Sequence, residues 1–284
     1  MKPLAPDDFA DHLKPRPKES HKKDFGHVLV VAGSKEMPGA GYLASLAVLR
    51  SGGGLVTYCL PNDAFKKFES QYPEVMAAPA DFSKPESVLK LCDKKEALVL
   101  GPGLGRAPET FALVGHLLEN VSLPVVLDAD GLMAIAAAPK ILKKRKGPTI
   151  LTPHPGEMAA LIGGTTEQVQ KNRELTAKEA ADLWKVVVVL KGFQSLVALP
   201  DGRVYVNPTG NPGMATAGMG DVLAGMIGGL LAQGFPLDKA ALAGVYLHGL
   251  AGDMAAEEMG QKGLIASDLL GYVPKAIREV EQTR

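Results

Sequence analysis

Short runs of consecutive apolar residues alternate along this chain with segments whose apolar positions recur every three or four residues. Residues 27–31 (HVLVV), 55–60, 97–100, 124–127, 149–152 and 186–190 are of the first kind. They are short and rich in Val, Ile and Leu, as strands covered on both faces should be. Residues 40–50, 110–118, a stretch from Pro155 through Leu161, a longer one from Thr165 to Trp184, and residues 221–231, 238–258 and 267–281 are of the second kind and predict helices. Thr165-Thr166-Glu167-Gln168 has the spacing of a capping box at the start of the helix that reaches Trp184. Residues 196–199 and 203–206, separated by Pro200-Asp201-Gly202, predict a hairpin.

This alternation predicts an α/β fold, with a central, mainly parallel sheet and helices on both faces. In such sheets ligands collect beyond the carboxyl ends of the strands. The glycine-rich or polar junctions at 33–41, 101–105, 128–131, 152–157, 191–195 and 207–221 nearly all follow predicted strands. One such junction would be a turn more often than a site. Six of the same polarity predict a shared cleft.

Composition narrows the class. The chain has 284 residues, 46% hydrophobic and 22% charged, an ordinary balance for a globular protein and not for a disordered one. Lys+Arg and Asp+Glu are both 31, so the basic excess of a general nucleic-acid binder is absent. The two cysteines, Cys59 and Cys92, form no C-x-x-C, which argues against a disulfide framework or a structural zinc site. The mixed-charge N-terminus contains no signal-peptide-like apolar stretch, and the apolar runs are far short of a membrane span. A cytoplasmic protein with no membrane partner is expected, organised as an N-terminal extension over residues 1–25 and a single domain over 26–284.

The junction at 207–221 holds the most chemistry. Small residues at Ala217, Gly218 and Gly220 let backbone N–H groups face one concavity, and the positive end of the next helix adds to them. That is an anion hole suited to a phosphoryl group. Asp221 stands beside it, placed either to cap the helix or to accept a proton from an attacking hydroxyl. The spacing is neither G-x-x-x-x-G-K-[ST] nor G-x-G-x-x-G. Lys191 follows a buried strand; its compact ammonium suits phosphate, although a lone strand-end lysine is more often simply solvated. Asp128, Asp130 and Glu157 are acidic groups at strand ends that could assist Mg²⁺, or equally serve as turn and helix-start residues, so no metal ligand is assigned.

The segment Ala217-Gly218-Met219-Gly220-Asp221 resembles the glycine-glycine-aspartate signature of the ribokinase-like superfamily. With its flanks it resembles more narrowly the nicotinamide nucleotide hydrate dehydratases, which repair hydrated NADH and NADPH. Supporting matches follow in order over about residues 26–232. They are Gly39-Ala40-Gly41-Tyr42-Leu43-Ala44, Arg50-Ser51-Gly52-Gly53-Gly54, Gly101-Pro102-Gly103-Leu104-Gly105, Leu127-Asp128-Ala129-Asp130-Gly131, Thr152-Pro153-His154-Pro155-Gly156-Glu157, Lys191-Gly192-Phe193 and Asn211-Pro212-Gly213-Met214-Ala215-Thr216.

The resemblance implies a ribokinase-like fold and a hydro-lyase. A nucleotide phosphorylates the ring hydroxyl of the S-form of hydrated NAD(P)H, and elimination of phosphate restores the ring. By it, Asp221 contacts the hydrated ring and accepts the hydroxyl proton, while the backbone of Gly218 and Gly220 holds the moving phosphate. Ala40, Gly103 and His154 contact the substrate. Lys191, Gly192, Phe193, Gln194, Ser195 and Gly220 bind the nucleotide; Asn211 and Thr216 offer further polar contacts. The Asn-Pro-Gly-Met-Ala-Thr form favours ADP over ATP as donor, with Mg²⁺ as cofactor and AMP as product. Many relatives have an added epimerase domain, for which the residues before the first strand are too few, so a stand-alone dehydratase is expected. A homotetramer is expected too, with the Gly- and Ala-rich helices over 221–258 available to a partner copy. The alternative is an ATP-dependent kinase of a small hydroxymethyl heterocycle, such as a thiazole or pyrimidine vitamin precursor.

Overall fold

The computed structural model describes residues 1–68 and 73–282. Residues 69–72 and 283–284, part of the domain expected over 26–284, lie outside the described residues. The strands are β1 (Lys2–Pro3), β2 (His27–Val31), β3 (Leu55–Pro61), β4 (Met76–Ala80), β5 (Ala97–Leu100), β6 (Val125–Leu127), β7 (Thr149–Leu151), β8 (Val187–Leu190), β9 (Leu196–Ala198) and β10 (Val204–Val206). The helices before β7 are α1 (Pro38–Arg50), α2 (Asn62–Phe68), α3 (Pro85–Leu89), α4 (Pro108–Asn120), α5 (Asp130–Ile135) and α6 (Ile141–Lys144). After it come α7 (Pro155–Ile162), α8 (Thr166–Lys171), α9 (Arg173–Trp184), α10 (Met219–Ala232), α11 (Leu237–Met259) and α12 (Ala266–Gln282).

The described strands form one sheet in the order β1-β10-β9-β8-β7-β6-β5-β2-β3-β4. Every pairing from β8 through β4 is parallel, and β9 reverses direction against both β8 and β10. The expected mainly parallel α/β sheet is therefore present. Side chains alternate across it. Val28 and Val30 of β2 join the core under α1, α10, α11 and α12, while Leu29 and Val31 join the opposite core under α4, α7 and α9. Burial on both faces explains why these strands read as unbroken apolar runs.

Four features depart from the sequence expectation. The helix expected from Thr165 to Trp184 is two helices, broken at Asn172. The capping box itself forms, with Thr165 Oγ1 accepting from Gln168 N–H and Gln168 Oε1 accepting from Thr165 N–H. Residues 1–25 add the edge strand β1, paired with β10, and bury Leu4, Phe9 and Leu13 in the main core. The small-residue face of α10 is used inside the chain. A Cβ on Gly225 would lie 2.1 Å from Ala44 O of α1, and one on Gly228 would lie 2.4 Å from Val99 of the sheet. Those glycines let the helix sit directly on its neighbours, so that face is not open to a partner copy. β4 (MAAPA) carried too little β-branched character to be read from sequence.

Because β2, β5, β6, β7 and β8 run parallel, their carboxyl ends lie on one edge. The junctions after them open on that edge, and α10 begins there as well.

Candidate active site

Asp128 directly follows β6, Lys191 follows β8, and Glu157 lies in the first turn of α7 after β7. Adjacent parallel strands bring these three together. Lys191 Nζ donates to Asp128 Oδ1 at 2.6 Å and lies 3.8 Å from Glu157 Oε2. Thr152 Oγ1 donates to the same Asp128 oxygen at 2.8 Å. Asp128 is 1% exposed and depends on these partners. Burial works against the Lys191 charge, but Asp128 and Glu157 outweigh it and hold the ammonium protonated above its ordinary range. Burial raises the Glu157 carboxyl, opposed by Lys191 and reinforced by Asp128.

Asp221 stands in the first turn of α10 and faces this cluster. Burial, then the charge of Asp128, push its carboxyl up to about 7, against the pull of Lys191. Three acids thus surround one ammonium, an excess of negative charge suited to a divalent cation. Among the described residues no group of three or more His, Cys, Asp or Glu side chains is arranged to hold a metal ion by itself. Mg²⁺ does not need one, since it takes one or two carboxylates and fills its octahedron with phosphate oxygens and water. Asp128 and Glu157 meet that requirement.

The α10 N-terminus supplies the amides. Gly218 caps it at φ +89°, a left-handed conformation that L side chains rarely adopt. The N–H groups of the first turn, at Met219, Gly220 and Asp221, have no carbonyl one turn back to accept them. Gly220 turns its open face to the cluster: a Cβ there would lie 3.3 Å from Lys191 Nζ and 3.9 Å from Asp128 Oδ2. Behind it, half-buried His248 of α11 donates from Nε2 to Met219 O at 2.9 Å. A trans peptide points C=O and N–H in opposite directions, so this bond helps fix the direction of the Gly220 amide. Burial lowers the His248 pKa to about 4 and keeps the ring neutral.

His154 caps α7 with its ring. Its Nδ1 accepts from Gly156 N–H at 3.0 Å and Glu157 N–H at 3.2 Å, while Glu157 Oε2 accepts from His154 N–H at 2.8 Å. With Nδ1 accepting, the ring proton belongs on Nε2, which lies 3.4 Å from Glu157 Oε1. Gly103 and Ala40 meet: a Cβ on Gly103, at φ +61°, would lie 2.7 Å from Ala40 Cβ. Their close packing is structural whatever else they touch.

Asp130 is used elsewhere, accepting from Gly105 N–H and Arg106 Nε and so holding the 101–106 junction. Asn211 is also committed. Its Nδ2 donates to Gly252 O and Asp253 Oδ1, and its Oδ1 accepts from Gly213 N–H. It therefore shapes the loop ahead of α10. Thr216 is exposed on that loop. Gly192, Phe193 and Gln194 are exposed after β8, and Ser195 Oγ donates to Gly192 O.

Three further residues had no local sequence signal. His248 is a single histidine within a small-residue helix. Asp253 matters only because α11 lies beside the 207–213 loop, where it accepts from Gly210 N–H. Arg173 reaches the 190–194 stretch from another helix.

A profile of the family described as NAD(P)H-hydrate dehydratase matches residues 28–275. The chain is 45% identical over 279 residues to the bifunctional NAD(P)H-hydrate repair enzyme Nnr of Moorella thermoacetica, covering 95% of this chain and 52% of that protein. It is 42% identical over 266 residues to the ADP-dependent (S)-NAD(P)H-hydrate dehydratase of Neisseria meningitidis, covering 92% and 88%. The chain thus spans about half the length of the bifunctional relatives and most of the length of the shorter one. The crystal structure of the ADP/ATP-dependent NAD(P)H-hydrate dehydratase of Bacillus subtilis, co-crystallised with ATP/Mg²⁺, matches with a TM-score of 0.86 at 34% identity, covering 99% of both chains.

Proposed function

The chain belongs to the NAD(P)H-hydrate dehydratase family, whose ribokinase-like fold it shares, and from that premise we propose that it dehydrates the S-form of hydrated NADH and NADPH at the expense of ADP. The observation that supports this most directly is the half-buried Asp221 carboxyl, raised to about 7, beside the open face of Gly220 and the Lys191 ammonium. A base, an amide cradle and a cation thus converge on one point at the carboxyl edge of the sheet.

The reaction needs a hydroxyl made into a leaving group. Asp221 accepts the proton of the ring hydroxyl as its oxygen attacks the terminal phosphorus of ADP and the bond to the AMP oxygen breaks. The amides of Gly218 and Gly220 and the Lys191 ammonium bear the charge spread over the transferring group. The ring nitrogen then donates its electron pair, the C–O bond breaks, phosphate leaves with the bonding electrons, and loss of the neighbouring ring proton to water restores the double bond of the dihydropyridine. Lys191 to Ser195 hold the donor phosphates, while Ala40, Gly103 and the His154 Nε2–H line the substrate side. Asn211 acts through the loop it shapes. Asp128 and Glu157 would hold Mg²⁺, which when bound supplies charge neutralisation at the phosphates.

The proposal extends to a homotetramer and to a cytoplasmic setting. The second fits two free, buried thiols, Cys59 and Cys92. No helix among the described residues is long and apolar enough to cross a membrane.

The test is to incubate the purified protein with hydrated NADH and either ADP or ATP, following reduced-nicotinamide absorbance and free phosphate. The expected result is recovered absorbance with stoichiometric phosphate, faster with ADP. A stable phosphate ester of a hydroxymethyl heterocycle, with no action on hydrated NADH, would instead establish the kinase alternative.

A further inference from the structure

Residues 191–195 join β8 to antiparallel β9 in a conformation that a short loop does not hold unaided. Gly192 has φ +134°, and Gln194, which has a side chain, has φ +52°. Positive φ is costly away from glycine unless the surroundings enforce it. The enforcement comes from another element. Arg173, the first residue of α9, donates from Nη1 to Phe193 O at 2.7 Å. Its Nη2 lies 3.3 Å from Leu190 O, 3.4 Å from Gln194 O and 3.5 Å from Lys191 O. One guanidinium therefore gathers four carbonyls of a single stretch.

Among the described residues no carboxylate forms an ion pair with Arg173, and burial disfavours its charge. The first turn of a helix is the positive end of its dipole, where a cation is disfavoured. The Arg173 side chain is partly buried, and its Nε is buried with no hydrogen-bond partner among the described residues. The break at Asn172 separates α8 from α9 and makes Arg173 the start of a new helix.

The carbonyls determine where the amides go. Each trans peptide points its N–H away from its C=O. With the carbonyls of Lys191, Phe193 and Gln194 drawn to the guanidinium, the N–H groups of Gly192, Gln194 and Ser195 turn to the other side. Among the described residues none of these, nor the N–H of Phe193, has a protein acceptor, whereas Lys191 N–H donates to Pro153 O. A run of free amides next to the Lys191 ammonium is a concavity for an anion.

We infer that Arg173 is the positioning residue that shapes residues 192–195 into a nest for the phosphates of a nucleoside diphosphate, acting from the carbonyl side of the loop without touching the ligand. This rests on the assignment of that loop to the donor nucleotide. It also separates Arg173 from Lys191: the lysine supplies charge to the phosphates, and the arginine supplies backbone geometry. A lysine at 173 would keep the charge but could not span four carbonyls, because an ammonium lacks the planar fork.

The experiment is calorimetric titration with ADP and steady-state kinetics on the unaltered protein, Arg173→Lys and Arg173→Ala, with urea unfolding of each. The Kd and KM for ADP are expected to rise about 10- to 100-fold in both variants, with kcat at saturating ADP within about threefold. Methylguanidinium is expected to recover part of the ADP affinity of Arg173→Ala. Full ADP affinity in Arg173→Lys would make the effect one of charge and overturn the inference. So would unchanged affinity in both variants, or a fall in kcat that tracks lost stability while KM stays constant. If Arg173→Ala does not fold, Arg173→Lys decides the matter. Failure of the unaltered protein to bind ADP would remove the donor-site assignment, and this inference with it; normal binding there with no change in the variants overturns the inference alone.

Discussion

Replacing Gly220 with alanine should separate what the α10 N-terminus does for the fold from what it does for a ligand. Gly220 is the second residue of α10, and its φ is not positive, so a side chain brings no backbone strain. The nearest neighbour of the new Cβ is the flexible end of Lys191, at 3.3 Å, followed by Asp128 Oδ2 at 3.9 Å. The protein alone has room for that methyl. Alanine is the better helix former by about 0.5–1 kcal/mol, so the variant should be as stable as the parent or slightly more so. A phosphoryl oxygen needs to come within about 2.9 Å of the amide nitrogen, and the methyl stands in that approach. Losing one hydrogen bond to a charged group costs about 1.5–3 kcal/mol, so kcat/KM for ADP should fall roughly 10- to 150-fold. The control is Gly218→Ala. There φ is +89°, and the Cβ would lie 2.6 Å from Leu43 Cδ1 and 2.9 Å from Ala266 Cβ, so the fold itself should lose about 1–3 kcal/mol. Urea unfolding followed by circular dichroism gives the stabilities; regeneration of NADH from its hydrate at varied ADP gives the rates. Unchanged kcat/KM in Gly220→Ala, or equal destabilisation of the two variants, would refute the argument.

Asp221→Asn should cut turnover about 10²- to 10⁴-fold while leaving ADP binding largely intact, because it removes the proton acceptor and keeps the shape. Only the ionised carboxylate can accept a proton. With Asp221 raised to about 7, kcat/KM of the unaltered enzyme should therefore fall as pH drops below about 7; a profile flat down to pH 5 would exclude Asp221 as the base. His248 makes a separate statement about stability. Its pKa is lowered from an unfolded value near 6.5 to about 4 by burial, so the unfolded chain binds more protons between those limits. The stability is complete above about pH 6.5 and is lost as pH falls to about 4, by an amount on the order of 3 kcal/mol. His27, also lowered to about 4 by burial, acts in the same window. The readout is thus the difference in acid sensitivity of urea unfolding between the parent and His248→Gln, and equal slopes would contradict a neutral His248 in the fold.

The elements that were legible in advance are those whose signal lies within one window of sequence. β2 and β5 are contiguous apolar runs, and α10 follows a glycine-rich junction. The box at Thr165 needs only four residues. The elements that were not legible have weak local signals or depend on partners far away. β4 is alanine-rich with a proline, and β1 is two residues that become a strand only because β10 lies beside them. The break at Asn172 interrupts a pattern that is otherwise periodic. Asn211 looked like a polar contact for a ligand; α11 instead supplies Gly252 O and Asp253, and these use its amide.

Periodicity and turn chemistry act over a few residues, so the sequence alone determined the strand–helix alternation, the polarity of the junctions and the order of motifs that marks the family. Charge state and hydrogen-bond direction depend on distances between residues remote in the chain. Tertiary structure therefore decided that Lys191 pairs with Asp128, 63 residues away, and that burial raises Asp221 to about 7. It decided, too, that Arg173 and His248 bond the backbone carbonyls around the two sets of amides, because only packing brings side chains from α9 and α11 to those carbonyls.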